Sequence, residues 1–514
     1  MASGKVKKAS AQKAKINLIK GIVIAVILLC IGGYFVYVSG ILPKLVTGVK
    51  IVETAADGTQ TTVQKVSVLE TNYRFNEALN MYSMYGMVDK DNLDKVMDSE
   101  SKQTYREFLY KTVADELMNS ALIMRHAKAK NFEQMSGCDR YVELQTESIR
   151  ATAAAYNYKS INQYLQALFG TGFYLSDYKS FLKSECITTE YQNYLKQFEF
   201  YPTEQEVQDE YNKNPNEYQV ADFNYYLFSA DMDESGNITG LEDTVKNAQA
   251  VADAVNGGKT FKDAVKTVLE QDKTKNEQAL VSFSDDSVDP TFVENYSHST
   301  AEYRFKEEVA NVLYGADAVK GKAVVVKLDN GTYVVCLADR RQDSTLEVTY
   351  RTLTLSNDAA ADATEAEINA GVDKLRQQAD SIISCVTNDS RTFVDAINKN
   401  TSNTSEIING GIVTGETAAN YEPSKSEDGS ETPVDTALGA WLFDASRQKG
   451  DTYVSVSSDN KTLTIYYFES TNEAWYCDIV DKFINDRTEA WQTALKENNP
   501  SYEINSGWLK NLMY

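Results

Sequence analysis

The chain has 514 residues and a formal net charge of −23 at neutral pH, with 42% hydrophobic and 11% aromatic residues. This length predicts about three or four domains, and the hydrophobic content excludes an intrinsically disordered chain. The acidity disfavours nucleic acid as a partner, because nucleic-acid binding requires a basic surface.

The amino terminus has the pattern of a membrane anchor. Residues 1–20 contain six lysines and no acid, and residues 21–43, GIVIAVILLCIGGYFVYVSGILP, are uncharged and mostly apolar. About 20 such residues span a bilayer, whereas the apolar region of a cleaved signal peptide is shorter. The lysine-rich tail stays in the cytoplasm by the positive-inside rule. We therefore predict a single-pass protein of the cell membrane, with residues 44–65 as a juxtamembrane segment and an acidic region outside the cell membrane.

Cysteine and histidine content limits the possible chemistry. Cysteines 138, 186, 336, 385 and 477 are scattered, odd in number and without a CxxC pair, which predicts no disulfide framework and leaves their pairing open. Only two histidines, His126 and His298, occur in the chain, so zinc-ligand spacing is missing. The sequence predicts no metal site and no small-molecule cofactor.

Residues 66–218 have the periodicity of packed helices. In the run SKQTYREFLYKTVADELMNSALIMRHAKAK, apolar residues recur at three- and four-residue steps, which is typical of one face of an amphipathic helix. Similar stripes follow in YLSDYKSFLKSECITTEYQNYLKQF. Short polar breaks separate them. We predict a compact helical lobe, the name used below for residues 66–218.

Beyond residue 218 the chain contains an internal repeat. The run VLYGADAVKGKAVVV (312–326) aligns with WLFDASRQKGDTYVS (441–455) at an offset of 129, and upstream DFNYYLFSAD corresponds to EVTYRTLTLS. Each copy ends in a predicted strand pair, the first with the hairpin signal Asp329-Asn330-Gly331. We predict two copies of one α+β unit, module 1 (219–343) and module 2 (344–471).

The remaining segments are a polar insert and a last helix. Residues 414–435, TGETAANYEPSKSEDGSETPVD, have the composition of a flexible surface loop. Residues 472–514 contain an amphipathic helix, whose apolar stripe includes Trp475, Phe483 and Trp491 and needs a partner surface. We expect the helical lobe to supply that surface. The predicted fold class is thus a multidomain α+β protein.

This layout resembles the extracytoplasmic foldases of the SurA/PrsA type. The resemblance covers about residues 66–497 and depends on the lobe sequence YNYKSINQYLQALFGTG and the junction PTEQEVQDEYNKNPNEYQVADFNYYLF. The late Lys-Gly before a strand pair is also similar to parvulin-type peptidyl-prolyl isomerases. The resemblance implies a SurA-N-like chaperone domain, two parvulin-like modules and a carboxy-terminal helix that packs on the lobe.

An active parvulin, as the resemblance implies, has one histidine on the first strand and one on the last. Here those positions fall on Tyr225 or Tyr226 and near Tyr333 in module 1, and near Arg351 or Thr352 and Thr464 in module 2. We therefore predict no catalytic residue. Tyr225, Tyr226, Phe228 and Tyr333 are the candidate substrate-binding residues, because tyrosine packs against apolar groups and also donates a hydrogen bond.

The sequence leaves three functional hypotheses open. The first is a membrane-anchored chaperone that binds unfolded or newly secreted polypeptides in a cleft between the helical lobe and the modules, with catalytically degenerate modules. The second is an active prolyl isomerase with an atypical tyrosine-lined site in module 1. The third is a surface adhesin or scaffold built from inert modules.

Overall fold

The computed structural model describes residues 26–28 and 41–511, except 89, 98–99, 101, 214, 234, 286, 361–362 and 424–433. Within them the protein is mixed α+β, with several small antiparallel sheets. The predicted basic tail and most of the predicted membrane-spanning segment 21–43 lie outside the described residues. In the described part of the chain, no helix has the length and apolar character needed to cross a membrane.

Residues 44–65, which the sequence analysis interprets as a juxtamembrane segment, are folded and contain most of a β-hairpin. A short helix, α1 (Ile41–Leu45), leads into a hairpin of β1 (Thr47–Thr54) and β2 (Gln60–Ser67). On the other side of β1, the distant segment Pro500–Ile504 pairs with it antiparallel. Because Val49 and Ile51 of β1 are fully buried in the lobe core, this hairpin is an integral part of the lobe.

The helical lobe forms as predicted, from amphipathic helices around shared apolar cores. Helix α3 begins with a capping box in which Thr104 and Glu107 exchange side-chain and backbone hydrogen bonds, and its predicted stripe residues Leu109 and Val113 are fully buried. The helices are α2 (Val68–Met84), α3 (Tyr105–Ala129), α4 (Cys138–Ala155), α5 (Ile161–Phe169), α6 (Leu175–Tyr194) and α7 (Glu204–Lys213), with a π-helical turn at Leu195–Glu199.

Module 1 is a four-stranded antiparallel sheet with helices on both faces. Its elements are β3 (Gln219–Ser229), the short pair β4 (Asp231–Met232) and β5 (Ile238–Thr239), α8 (Leu241–Asn256), α9 (Phe261–Leu269), α10 (Glu277–Val281), β6 (Phe292–Ser297), α11 (His298–Phe305), α12 (Glu307–Tyr314), β7 (Ala323–Leu328) and β8 (Gly331–Gln342). The strand order is β6-β3-β8-β7. The predicted hairpin is confirmed, since Leu328 pairs with Gly331 across a two-residue turn. A side chain at Gly331 would collide with the carbonyl oxygen of Phe228.

Module 2 repeats this architecture, which confirms the internal repeat. Its elements are β9 (Leu346–Ser356), α13 (Glu365–Ile383), α14 (Ser390–Asn400), α15 (Thr404–Asn409), β10 (Ile412–Thr417), α16 (Thr436–Leu442), β11 (Thr452–Val456) and β12 (Thr462–Glu473). The sheet order β10-β9-β12-β11 matches that of module 1 strand for strand. The aligned residues Leu313 and Leu442 are both buried in equivalent cores. The polar insert begins as β10, and its residues 424–433 lie outside the described part.

The carboxy-terminal helix returns to the lobe, as predicted. Helix α17 (Ala474–Ala494) packs Trp475 and Phe483 against a core that contains Val207 and Tyr218. Near its end, Trp491 lies edge-on to His126, whose ring nitrogen Nδ1 is 2.8 Å from the hydroxyl of Tyr191. The chain then forms β13 (Pro500–Ile504), the strand already described beside β1, and α18 (Ser506–Asn511). Strands β1 and β13, which are about 450 residues apart in the sequence, therefore meet in one lobe.

Candidate functional site

The four candidate residues of module 1 do not form one site. Successive side chains of a strand point to opposite faces of the sheet. Tyr225 therefore packs with the α11 and α12 face, together with Tyr333, whereas Tyr226 and Phe228 pack in the core under α8 and α9. The four candidates therefore form two pairs on opposite faces of the sheet, Tyr225 with Tyr333 and Tyr226 with Phe228, and their role in substrate binding stays a prediction.

Tyr225 and Tyr333 meet the same phenylalanine. The ring of Phe305 lies 4.6 Å from that of Tyr225 and 6.0 Å from that of Tyr333. Phe305 is 2% exposed and Tyr333 9% exposed. An aromatic cluster thus fills the face of the sheet where the sequence analysis expects a binding site. A cavity of about 280 Å³ borders this cluster, lined by Val335, which pairs with Tyr225, and by residues of α12.

Module 2 has the same tyrosine pair, at positions that the sequence analysis missed. Tyr225 of β3 lies opposite Val335 of β8, and Val335 is two residues from Tyr333 on β8. In module 2, Tyr350 lies opposite Phe468, likewise two residues from Tyr466. The rings of Tyr350 and Tyr466 are 5.9 Å apart. The structural equivalents of the module 1 tyrosines are therefore Tyr350 and Tyr466, and not Arg351, Thr352 or Thr464.

Tyr421, which belongs to the polar insert, contacts the tyrosine pair of module 2. The hydroxyl of Tyr421 lies 3.1 Å from that of Tyr350. The Tyr421 side chain rests directly on Gly439 of α16, where a Cβ atom would come within 2.4 Å of it. Burial raises the pKa of Tyr333 and Tyr350, and that of Tyr466 to about 12. These phenols are neutral at physiological pH, so they offer packing surface and hydrogen bonds and do not act as bases.

Arg351 has a different role from the one its sequence position predicts. It is 2% exposed, and its guanidinium donates to Glu469 inside module 2 and to Gln197 of the helical lobe. Burial alone would raise the pKa of Glu469, but Arg351, Ser390 and Lys449 outweigh it and keep that pKa below its usual value. The group is a fully partnered buried ion pair at the junction of module 2 with the lobe.

Module 2 is docked on the lobe through a seam of polar contacts. Asn193 and Gln197 of the lobe donate to the carbonyl oxygens of Ile408 and Asn409, both at 2.9 Å. The guanidinium groups of Arg351 and Arg391 lie over the ring of the lobe residue Phe198, at 5.4 and 5.1 Å from its centre. The seam borders a cavity of about 170 Å³. A cavity of roughly 150 Å³ holds one benzene molecule, so this cavity has room for a side chain, and binding of polypeptides in a cleft between the lobe and the modules stays a prediction.

Glu190 lies at the centre of this seam. It is 5% exposed and accepts hydrogen bonds from the backbone N–H of Gly137 at 3.1 Å and from Asn398 of module 2 at 3.2 Å. Its Oε2 atom lies 3.1 Å from the sulfur of Cys138. Burial raises the pKa of Glu190 to about 8, which keeps the carboxyl protonated at neutral pH.

Cys138 and Cys186 form a disulfide, which the sequence analysis did not predict. Their Cα atoms are 5.6 Å apart, within the normal range for a disulfide, and both residues are fully buried. The bond joins the first residue of α4 to the middle of α6. Cys336, Cys385 and Cys477 are free.

A third cavity, of about 380 Å³, lies in the lobe between β2, α2, α3 and α6 and is also lined by the end of α17. Its wall contains the amide side chains of Gln64, Asn119, Gln192 and Gln492. Arg74 also lines this cavity and pairs with Glu185 at 2.7 Å. Amide groups both donate and accept hydrogen bonds, as a peptide backbone does. This cavity offers more room than the seam, and its polar wall suits a short stretch of main chain.

No protein-family model matches this sequence, and no curated protein is significantly similar to it.

Proposed function

We propose that the protein is a membrane-anchored extracytoplasmic chaperone that binds unfolded or newly secreted polypeptides, with two parvulin-like modules that do not catalyse isomerisation. The observation that carries the proposal is the tyrosine pair, which occurs in the same register in both modules. The resemblance to SurA/PrsA-type foldases implies histidines on the first and last strands of an active module. Tyrosine occupies these positions in both modules, and the pairs are covered by Phe305 and by Tyr421. This arrangement favours modules that are retained for binding and not for catalysis.

Two further features support this proposal. The lobe cavity provides amide side chains that can bind a peptide backbone. A chaperone that captures exposed segments lowers the concentration of aggregation-prone species, so it needs no covalent chemistry. The buried disulfide between Cys138 and Cys186 is typical of an oxidising compartment outside the cytoplasm. That compartment agrees with the anchor predicted from residues 21–43.

Refolding of a model protein limited by prolyl isomerisation tests the proposal. We expect the full-length protein, added at increasing concentration, to raise the refolding yield and leave the rate constant of the slow phase unchanged. Catalysis would have to lower a rotational barrier of about 18–20 kcal/mol, and uncatalysed phases of about 10–100 s make any acceleration easy to see. The measurement records rate and yield in the same experiment.

The double variant Tyr225→Phe and Tyr333→Phe distinguishes the alternatives, because it removes two hydroxyls and keeps the aromatic packing. A chaperone should be indifferent to it. An isomerase with a tyrosine-lined site would give a slow-phase rate constant that rises in proportion to the concentration of wild-type protein. The same concentrations of the variant would give a smaller increase. If the wild-type protein changes neither the rate nor the yield of refolding, the result would favour the adhesin or scaffold.

A further inference from the structure

The buried disulfide of the lobe lies directly against module 2. Cys138 and Cys186 belong to a core cluster that also contains Ile407 of α15, and all three residues are fully buried. A Cβ atom at Gly137, the residue before Cys138, would come within 2.7 Å of the Ile407 side chain. Module 2 therefore leaves no spare room beside the bond.

The chain around Cys138 also holds module 2 by hydrogen bonds. Asn398 of α14 donates to the carbonyl oxygen of Met135 at 3.1 Å. Arg140, in the first turn of α4, donates to the carbonyl oxygen of Thr401 in module 2, also at 3.1 Å. Module 2 is thus bonded to the lobe on both sides of Cys138 along the chain, so a shift of this cysteine is transmitted to α14.

Glu190 contacts both the disulfide and module 2. Its Oε2 atom lies 3.1 Å from the sulfur of Cys138 and 3.9 Å from that of Cys186, and its Oε1 atom accepts a hydrogen bond from Asn398. A disulfide sulfur has no hydrogen and only accepts at such a contact, whereas a thiol also donates. A change in the oxidation state of the sulfurs therefore changes the hydrogen bonding of the residue that binds Asn398.

We propose that the disulfide and the docking of module 2 form a redox-sensitive switch, in which docked module 2 shields the bond from thiols and reduction of the bond loosens α14 and α15 from the lobe. Two thiols occupy more space than a disulfide, and a close-packed core transmits such a change. Module 2 has apolar cores of its own, so it can move away without unfolding. The coupling is reciprocal, because two equilibria that share contacts shift each other by the same factor.

The co-reactant of this switch is a dithiol. Its first thiolate attacks the sulfur of Cys186 and forms a mixed disulfide, and Cys138 leaves as a thiolate that takes a proton from the adjacent Glu190 carboxyl. The second thiolate of the dithiol then displaces Cys186. The dithiol ends as a disulfide and supplies the two electrons and two protons that the cysteines gain, and Glu190 recovers its proton. Cys138 is the better leaving group because it begins α4, and a helix amino terminus stabilises a thiolate.

The rate of reduction of the full-length protein tests the shielding. Dithiothreitol is added to the oxidised protein, and alkylation of the two cysteines is followed with time by mass spectrometry. Because a buried bond reacts only from an opened state, we expect Asn398→Ala with Ile407→Ala to accelerate reduction about tenfold or more. The matched control is Asn400→Ala, whose side chain bonds within α14 and whose loss should leave the rate at the wild-type value.

Hydrogen exchange of the wild-type protein tests the other direction of the coupling without any substitution. Exchange is compared between the oxidised protein and the protein fully reduced with dithiothreitol. We expect the amides of α14 and α15 to exchange at least about fivefold faster after reduction. Helix α13, which packs on the module 2 sheet, should keep its exchange rate and serves as the internal control.

Two results would overturn the inference. Equal reduction rates of the wild type and of Asn398→Ala with Ile407→Ala would mean that thiols reach the bond by opening of the lobe and not of the seam. Unchanged exchange in α14 and α15 after complete reduction would mean that docking does not respond to the disulfide. If the double variant does not fold, the exchange experiment decides alone. Neither experiment involves a client polypeptide, so both outcomes are independent of the proposed chaperone function.

Discussion

Replacing Glu190 with glutamine should stabilise the protein at pH 8 and have little effect near pH 4.5. Burial raises the pKa of Glu190 from 4.5 to about 8. Between these pH values the unfolded chain has lost this proton and the folded chain retains it, so folding takes up a proton and stability falls as pH rises. The difference is worth at most about 5 kcal/mol at pH 8 and above. Glutamine avoids this cost because it is always neutral.

The hydrogen bonds at this position allow the substitution. The backbone N–H of Gly137 is shared between both oxygens, at 3.1 Å each; Oε1 also accepts from Asn398, and Oε2 also lies beside the sulfur of Cys138. A glutamine keeps one carbonyl oxygen for the first two donors. Lys183 on the same helix pairs with Glu133 and Asp139, and Arg391 and Asp395 of α14 line the same cavity as Glu190.

Hydrogen exchange of the α4 and α6 amides at pH 5 and pH 8 measures the effect as a local free energy of opening. The control is Glu147→Gln, an exposed glutamate of α4, for which both pH values should give the wild-type result. Equal protection of wild type and Glu190→Gln at pH 8 would mean that the buried carboxyl does not carry this pH dependence.

The repeat was predictable because its signals are local. Three signals lie within short stretches of sequence: alternating strand residues, the Asp329-Asn330 turn, and the aligned leucines Leu313 and Leu442. In the structure, the two copies form two sheets with the same strand order. The same local patterning predicted the lobe helices and the stripe of α17.

The module 2 tyrosine pair was missed for an identifiable reason. The turn between β7 and β8 has two residues, whereas five residues separate Val456 from Thr462 in module 2. The offset of 129 would place the equivalent of Tyr333 at Thr462, whereas the longer turn moves it to Tyr466, two residues beyond the predicted Thr464. Strand alternation could not have corrected it, because Thr464 and Tyr466 are two residues apart on one strand and therefore lie on the same face of the sheet.

The seam and the lobe sheet could not be predicted from local pattern, because their partners are far apart in sequence. Glu190 and Asn398 are separated by 208 residues, and β1 pairs with a strand about 450 residues later. Periodicity identifies which face of an element is buried, and it does not identify the partner. The hairpin at 47–67 was missed for a related reason: β2 is largely exposed and lacks a hydrophobic alternation.

Removing the disulfide should destabilise the lobe by about 4 kcal/mol. Cys138 and Cys186 close a loop with a sequence separation of 48, and the chain-entropy relation for a loop of that length gives about 4 kcal/mol. The double variant Cys138→Ala and Cys186→Ala should therefore lower the free energy of opening of α4 and α6 in hydrogen exchange. The packing change at two small buried sites adds to the loss.

The matched control is Cys385→Ala, which removes an exposed free cysteine of module 2 and should leave exchange in α4 and α6 unchanged. Module 1 shares no disulfide with the lobe, so its amides should keep wild-type protection in the double variant, whereas α14 should lose protection because Asn398 reaches Glu190 beside the bond. Uniform loss across both modules would instead mean that the chain unfolds as one unit. Unchanged α4 and α6 protection would show that the fold holds these helices together without the covalent bond.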